Sequence, residues 1–417
     1  MKTLGFFSNV FSKLSTKKQN QKYIDVLNGY APAFSQFGSN IYANDIVQQC
    51  VNCISSEMKK LSPEHIIRNN NGDTEPAESN NIQSVLDNPN EFMTTADFLE
   101  KTTNLLLLNL NAFIVPVWKE NVDNRGISKR TLEALYPIQP TQVDFIQDDS
   151  DRLFIHFYFS NGTDYILKQS DVIHWKTKYA TNDFMGGDIN GQPDNSALLT
   201  TLDVYHTLLQ GVSKAMKASY AINGVVKYNG MLDDGKTDKA LKDLENKLKN
   251  AESGFLPLDL KSEFTPIKKE TKLVDADTLK FVDDKILRHF GVSLAIITAD
   301  FSADQYEAFY QKTLEPLIIS LGQAFTKVLF TKREKGFKNE VVFYANKLEF
   351  MTKSQILEMI RLLGDHGSLF ENEARTALGL RPLKELKGIR MQSLNYVNVD
   401  DAKKYQVGER NNDNEET

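Results

Sequence analysis

The sequence predicts an α+β protein of several domains, and three observations carry that prediction. Between residues 112 and 175, short apolar stretches follow one another at strand length. Two long amphipathic helical patterns, Ser196–Ile222 and Lys272–Phe290, bracket a shorter, more polar segment with strand and helix character. After Thr352 the pattern is helical again, so strands and helices are segregated and do not alternate as βαβ units.

Taken in order, Met1–Lys22 places Leu4, Phe7, Val10, Phe11 and Leu14 at helical spacing ahead of Lys17 and Lys18. It has no long apolar core, so it reads as an amphipathic arm and not as a signal peptide. Asn40–Lys60 predicts a helix with Ile46, Cys50, Cys53 and Ile54 on one face. The CxxC spacing would suit half a metal site or a redox pair. No second pair exists, so two core thiols in a reducing compartment are expected. Pro63–Arg68 predicts a strand and Ile82–Leu86 a short helix, and Thr94 with Asp97 opens another helix as a capping box. Leu105–Trp118 is the most apolar run, but it contains Asn109, Asn111 and Pro116 and is shorter than the ~20 residues a membrane span needs.

Strands are expected at Ala112–Trp118, Thr131–Tyr136, Gln142–Ile146, Leu153–Phe159, Asp164–Leu167 and Val172–Trp175, with a hairpin at Asn161-Gly162. Val143, Phe145, Phe157 and Phe159 predict half-buried alternation. His174 has no partner histidine or cysteine nearby and reads as a core or interface residue; Asp148-Asp149-Ser150-Asp151 reads as an acidic turn and not as a cation site. In Ser196–Ile222, Leu198, Leu202, Tyr205, Leu209, Val212 and Met216 form a packing seam on a helix roughly 40 Å long. A polar helix is expected at Asp238–Ala251.

In the second long helix, Leu279, Val282, Ile286 and Phe290 make the apolar stripe, and Gly291 ends it. Val292–Ile297 is apolar and too short for a helix of its own. Ser302-Ala303-Asp304-Gln305 is a capping box for the next helix, and Pro316 predicts a kink inside it. Glu340–Tyr344 predicts a late strand, and Thr352 caps a helix running to about Leu363. Gly408–Thr417 lacks apolar anchors and is expected to be disordered.

The chain has 417 residues, a net charge of −6 and two cysteines. That allows two or three domains and argues against a protein that grips nucleic acid in bulk. Gly230–Thr237 matches GxxxxGK[ST] after a short strand, Val225–Tyr228. Yet Asp233 and Asp234 would put negative charge where backbone N–H groups must cradle phosphate, and no strand follows to hold Mg²⁺. No HExxH or GxSxG is present. No enzyme activity, cofactor or metal is therefore expected.

Four blocks carry a family resemblance. They are Asp87-Asn88-Pro89-Asn90 with Met93-Thr94 and Phe98; Asn111-Ala112-Phe113 with Asp171-Val172-Ile173-His174-Trp175; His289-Phe290-Gly291-Val292 with Tyr306 and Thr313-Leu314-Glu315-Pro316; and Asn372-Glu373-Ala374-Arg375 with Leu380 and Pro382. Together they resemble the portal proteins of tailed double-stranded DNA bacteriophages. That family usually has glycine where Leu110 stands, and proline where Ser293-Leu294 follow the Phe-Gly-Val.

The resemblance implies a phage-portal-like division of the chain. An N-terminal arm would take residues 1–35, an α/β wing 36–195 with 303–350, and a stem helix 196–222. A small α/β clip would take 223–271, a second stem helix 272–290 and a tunnel loop 291–302. The segment 303–350 would hold a kinked helix and the strand returning to the wing. Helical crown residues 351–395 and a tail at 396–417 complete it. It further implies a homo-oligomeric ring, usually of about twelve copies, at one capsid vertex in the virion, assembled in the host cytoplasm. Double-stranded DNA would pass through without sequence specificity. The terminase large subunit and later a head-completion or adaptor protein would dock on it, with major capsid and scaffold proteins outside and no membrane. The channel wall would draw on Ser293, Leu294, Ile296, Ile297, Asp300 and Phe301, with Lys280 and Lys285 as a sparse stem ring. The same loop residues equally suit a buried core, and the lysines ordinary solvation. The competing classes are a P-loop ATPase built on Lys236 and a non-phage oligomeric scaffold.

Overall fold

The computed structural model describes residues 21–23, 33–35, 44–68, 74–77, 81–122, 128–178, 184–187, 196–220, 224–228, 242, 262–266, 276–345 and 353–391. The arm before Gln21, the P-loop lookalike Gly230–Thr237, nearly all of the helix expected at Asp238–Ala251 and the tail after Met391 lie outside them.

In chain order the elements begin with strands β1 (Gln21–Tyr23) and β2 (Ala33–Ser35), helix α1 (Asp45–Met58), β3 (Ser62–Arg68) and β4 (Thr74–Pro76). Helices α2 (Asn81–Asp87) and α3 (Thr95–Asn109) precede six strands: β5 (Asn111–Val122), β6 (Ser128–Ile138), β7 (Gln142–Asp148), β8 (Leu153–Tyr158), β9 (Asp164–Lys168) and β10 (Ile173–Lys176). Next come α4 (Ser196–Tyr220), β11 (Gly224–Tyr228), β12 (Ser262–Pro266), α5 (Ala276–Phe290), α6 (Leu294–Ile297) and α7 (Ala303–Phe309). A π turn (Tyr310–Leu314) joins α7 to α8 (Glu315–Leu329), followed by α9 (Lys332–Gly336), β13 (Asn339–Tyr344), α10 (Lys353–Asp365) and α11 (Glu371–Ala377).

The chain divides into two compact units. One takes residues 1–38, 51–193 and 295–417; the other takes 39–50 and 194–294.

The first unit holds three antiparallel sheets, ordered β10-β5-β6, β13-β3-β4 and β1-β7-β8-β9, with β2 also on β7. One apolar cluster draws Phe113, Val115 and Ile138 from one sheet and Val143, Phe145, Ile155, Phe157 and Leu167 from another. Phe113 and Phe157 meet edge to face at 5.2 Å. The half-buried alternation expected for β7 and β8 fails here. Ile146, Phe154 and Ile166 form a second buried cluster on the opposite face, so both faces are covered. The hairpin at Asn161-Gly162 is as expected, with Gly162 at φ +78°.

In the second unit α4 and α5 pack on each other. Of the seam on α4, Leu198 is buried, Leu202, Tyr205 and Val212 are half-buried, and Leu209 is exposed. Strands β11 and β12 pair antiparallel as a two-stranded ribbon. A phosphate-binding loop normally leaves a parallel βαβ sheet, whereas β11, the strand before Gly230, is paired antiparallel with β12.

Candidate functional site

Three of the four blocks singled out in the sequence prove to be backbone clamps. Strands β5 and β10 bring the two halves of one block together, pairing Phe113 with His174 and Lys176 with Asn111. The Asn111 Oδ1 accepts from Gly186 N at 2.8 Å and His174 Nε2 at 2.9 Å. Its Nδ2 donates to Gly186 O at 2.9 Å and Asn109 O at 3.1 Å. One amide thus spends its full bonding capacity holding a sheet edge and the 184–187 segment together. A Cβ on Gly186 would lie 2.2 Å from Thr177 O and 2.6 Å from Leu110 O, so only glycine fits. Leu110 itself is left-handed at φ +57° and 2 % exposed. Strain of about 1–2 kcal/mol is offset by burial of its side chain.

His174 stacks on Phe113 at 4.4 Å. Burial first, then the positive charge of Lys176 and Lys327, pushes its imidazole down to about 3. It is a neutral structural donor and no general base at physiological pH.

The other two clamps work alike. Asn90 Nδ2 donates to Leu135 O at 2.8 Å while Leu135 N donates to Pro89 O at 2.7 Å. Asn372 binds both backbone groups of Leu383, each at 2.9 Å.

The segment from α5 to α8 is built differently. Gly291 sits at φ +72°, its N–H bonds Arg288 O, and Val292 N bonds Leu287 O. This is a Schellman cap, and its hydrophobic contact is supplied by buried Val292 and Leu287. The Phe-Gly-Val spelling is therefore a helix stop. Residues 294–297 then form one helical turn, where the sequence predicted none. It ends on the same geometry: Asp300 N bonds Ala295 O, and Ala299 takes the left-handed position at φ +57°. The capping box at Ser302 and Gln305 is complete.

The eight residues expected to line a channel are divided by this geometry. Ser293, Leu294 (52 %), Asp300 and Phe301 (42 %) are exposed, as are Lys280 and Lys285. Ile297 is half-buried, and Ile296, at 8 %, is turned into the fold. Phe281 on α5 is 61 % exposed, a residue the stripe analysis passed over because it lies off the buried face.

Behind the loop, Tyr306 donates to Glu57 Oε2 at 2.9 Å, and Lys60 holds the other carboxylate oxygen at 2.8 Å. Burial first, then the Glu57 charge, pushes the phenol well above its ordinary value, so it stays a donor. The π turn comes next. Glu315 N reaches back five residues to Tyr310 O, and Pro316 follows at the start of α8. Proline has no N–H and its ring would strike the carbonyl four residues back in an α-helix; the wider turn removes that clash. Helix α8 is then locked to the sheets. Trp175 Nε1 donates to Ser320 Oγ at 2.8 Å, Val341 N to Thr326 Oγ1 at 2.9 Å, and a Cβ on Gly322 would lie 2.8 Å from Val341 O.

Other candidates resolve structurally. Cys50 is buried; burial, then Glu57, raises the Cys53 thiol to about 11, so it stays protonated. Asp148 accepts from Ser150 N, Arg152 N and Arg152 Nε and organises its turn. Asp283 Oδ1 is buried without a partner, and its carboxyl is held high by burial, then by Asp284 and Asp45. A groove of about 670 Å³ is lined by His65, Trp118, Arg130, Leu132, Phe330 and Glu334, but His65 Nε2 is tied to Asn339 Oδ1 at 2.9 Å. Among the described residues no group of three metal-ligating side chains occurs, and no helix is long and apolar enough to cross a membrane.

Comparison with known proteins places these features in context. The model of the family described as phage portal protein matches residues 45–379. The relatives named "Probable portal protein" in Lactococcus phages p2 and SK1 are each 25 % identical over 175 residues, 39 % of this chain. The match spans 46 % of those relatives' length. Among solved structures, a chain of the neck of the native GTA (gene transfer agent) particle in C12 symmetry aligns at TM-score 0.56 and 18 % identity, covering 83 % of this chain and 93 % of that one. A chain of the empty-particle neck in C6 symmetry aligns at TM-score 0.55 and 18 % identity, covering 82 % and 92 %. At that identity the likeness is one of fold.

Proposed function

Since the chain belongs to the phage portal protein family, we propose that it is a structural portal subunit, a head-tail connector that assembles into a ring at one capsid vertex. The observation that carries this reading is the family match across residues 45–379. Chains of the same fold that form particle necks in C12 symmetry support a ring of about twelve. So do Leu199, Val204 and Leu209 on α4 and Phe281 on α5, which leave large apolar side chains uncovered on a single copy.

In this reading α4 and α5 are the stem helices, residues 223–271 the clip, 291–302 the tunnel loop, and α10 and α11 the crown. The three sheets with α8 form the wing. Duplex DNA passes through the ring during packaging and ejection. The terminase large subunit, a head-completion protein, and capsid and scaffold proteins dock on it. Leu294, Phe301, Ser293 and Asp300 supply the loop surface facing DNA, and Ile296 anchors the loop from inside. Lys280 and Lys285 give a sparse ring of positive charge. The chain performs no chemistry; Lys236→Ala leaves nucleotide binding at background.

Mass photometry of the purified chain at micromolar concentration tests this. A closed ring of about twelve copies is expected, and a persistent monomer under assembly conditions would sink it.

A further inference from the structure

One surface stands outside everything above. From Lys327 to Lys338 the chain carries five cations, Lys327, Lys332, Arg333, Lys335 and Lys338, against the single carboxylate of Glu334. The whole chain is net −6, so this is a concentrated reversal of sign. Glu334 offsets only one of them: its carboxylate closes the capping box, accepting from Thr331 N and Oγ1 at 2.8 Å each, and the turn keeps a net charge of +4 (five cations less one anion). Among the described residues none of the five cations forms an ion pair; the nearby Glu340 is taken by Arg68 at 2.7 Å.

The turn is also built to hold its shape. Lys338 is left-handed at φ +58°, and its carbonyl accepts from Arg68 N at 3.1 Å. Asn339 Nδ2 donates to Glu334 O at 2.9 Å, and Lys335 Nζ donates to Lys327 O at 2.9 Å. Arg333 lies over the ring of Phe337 at 5.9 Å. Phe337 is 64 % exposed, so it serves as a platform that orients the guanidinium rather than as core.

A cluster of cations without ion-pair partners among the described residues, carried on a hydrogen-bonded turn, is the footprint of a polyanion. We propose that the Lys327–Lys338 turn is a duplex-DNA backbone contact, sequence-independent and separate from the loop at Leu294 and Phe301. It rests on the portal reading for the choice of duplex DNA as the polyanion. Five phosphate contacts in one place would brake a sliding duplex, so the turn holds DNA statically and is not part of the moving track.

The test uses assembled full-length protein and a random-sequence duplex of about 30 base pairs, followed by fluorescence anisotropy from about 50 to 200 mM salt. The variant K332Q/R333Q/K338Q leaves the Lys335 and capping bonds in place. It should bind at least about tenfold more weakly, with a log–log salt slope lower by about three. Phe337→Ala, which keeps every charge, should weaken binding by a smaller factor and leave the slope unchanged. Mass photometry of each variant reports assembly separately. Rings that form but bind duplex no more weakly than wild type overturn this inference and leave the portal reading standing. Preferential binding of a poly-glutamate peptide over duplex would also overturn it, assigning the turn to an acidic protein partner. A chain that never assembles overturns the portal reading itself.

Discussion

The β5–β10 clamp and the Gly291–Phe301 segment sit in the same chain and obey opposite rules. At the clamp every polar atom of Asn111 is spent inside the protein, between 2.8 and 3.1 Å from its partners. In the loop, backbone caps fix the path while Leu294 and Phe301 stay exposed, Phe301 lying 5.5 Å from the Tyr306 ring. The first region resists change because a lost partner leaves a buried donor stranded. The second tolerates change at its outward side chains because backbone caps, with buried Val292 and Ile296, fix its path. The motifs at Asn90, Asn111 and Asn372 belong to the first kind, and Phe290-Gly291-Val292 is a backbone cap of the second. They are what the fold needs.

The largest effect should come from breaking the clamp. Gly186→Ala drives a methyl into two carbonyls and should prevent soluble, folded protein from accumulating. Asn111→Ala removes four hydrogen bonds and should cost about 3 kcal/mol or more in denaturant melts, read at constant m. If either is neutral, the clamp is not what holds the sheet edge.

Acid should find the same weak point. His174 is held down at about 3 while the unfolded chain titrates near its ordinary value of 6.5. Below 6.5 the unfolded state takes up the proton first. Stability from this residue is therefore complete above pH 6.5 and is lost as pH falls toward 3. Thermal midpoints across that range should slope upward with pH, and His174→Gln should flatten the slope.

Two smaller changes probe the loop's supports. Tyr306→Phe removes the bond to Glu57 and should cost about 1 kcal/mol without altering ring size. Ala299→Gly relieves a left-handed alanine and should raise stability, by at most about 1 kcal/mol. A loss there would mean the turn at Ala299 is not formed as described.

Much of the fold was legible because its signals are local. The capping boxes at Thr94 and Ser302, the Gly291 stop and the Asn161-Gly162 hairpin are each written within a few residues. Three things were not. The second buried face of β7–β9 is made of Ile146, Phe154 and Ile166, one residue per strand, so alternation within a strand cannot reveal it. The π turn has no letter of its own; Pro316 predicts only that the ladder must break nearby. The loop's division into outward Leu294 and inward Ile296 depends on a single helical turn too short to show a period. The basic turn was visible as letters, but that its cations form no ion pair among the described residues shows only in the folded chain.

The most direct measurement is DNA packaging and retention by rings carrying Leu294→Ser with Phe301→Ser, set beside rings carrying Ile296→Ser. The account predicts that the double variant folds and assembles like wild type but packages or retains DNA poorly, while Ile296→Ser loses about 2–4 kcal/mol of stability. Wild-type packaging by the double variant, or its failure to fold, would contradict the assignment of this loop to the channel.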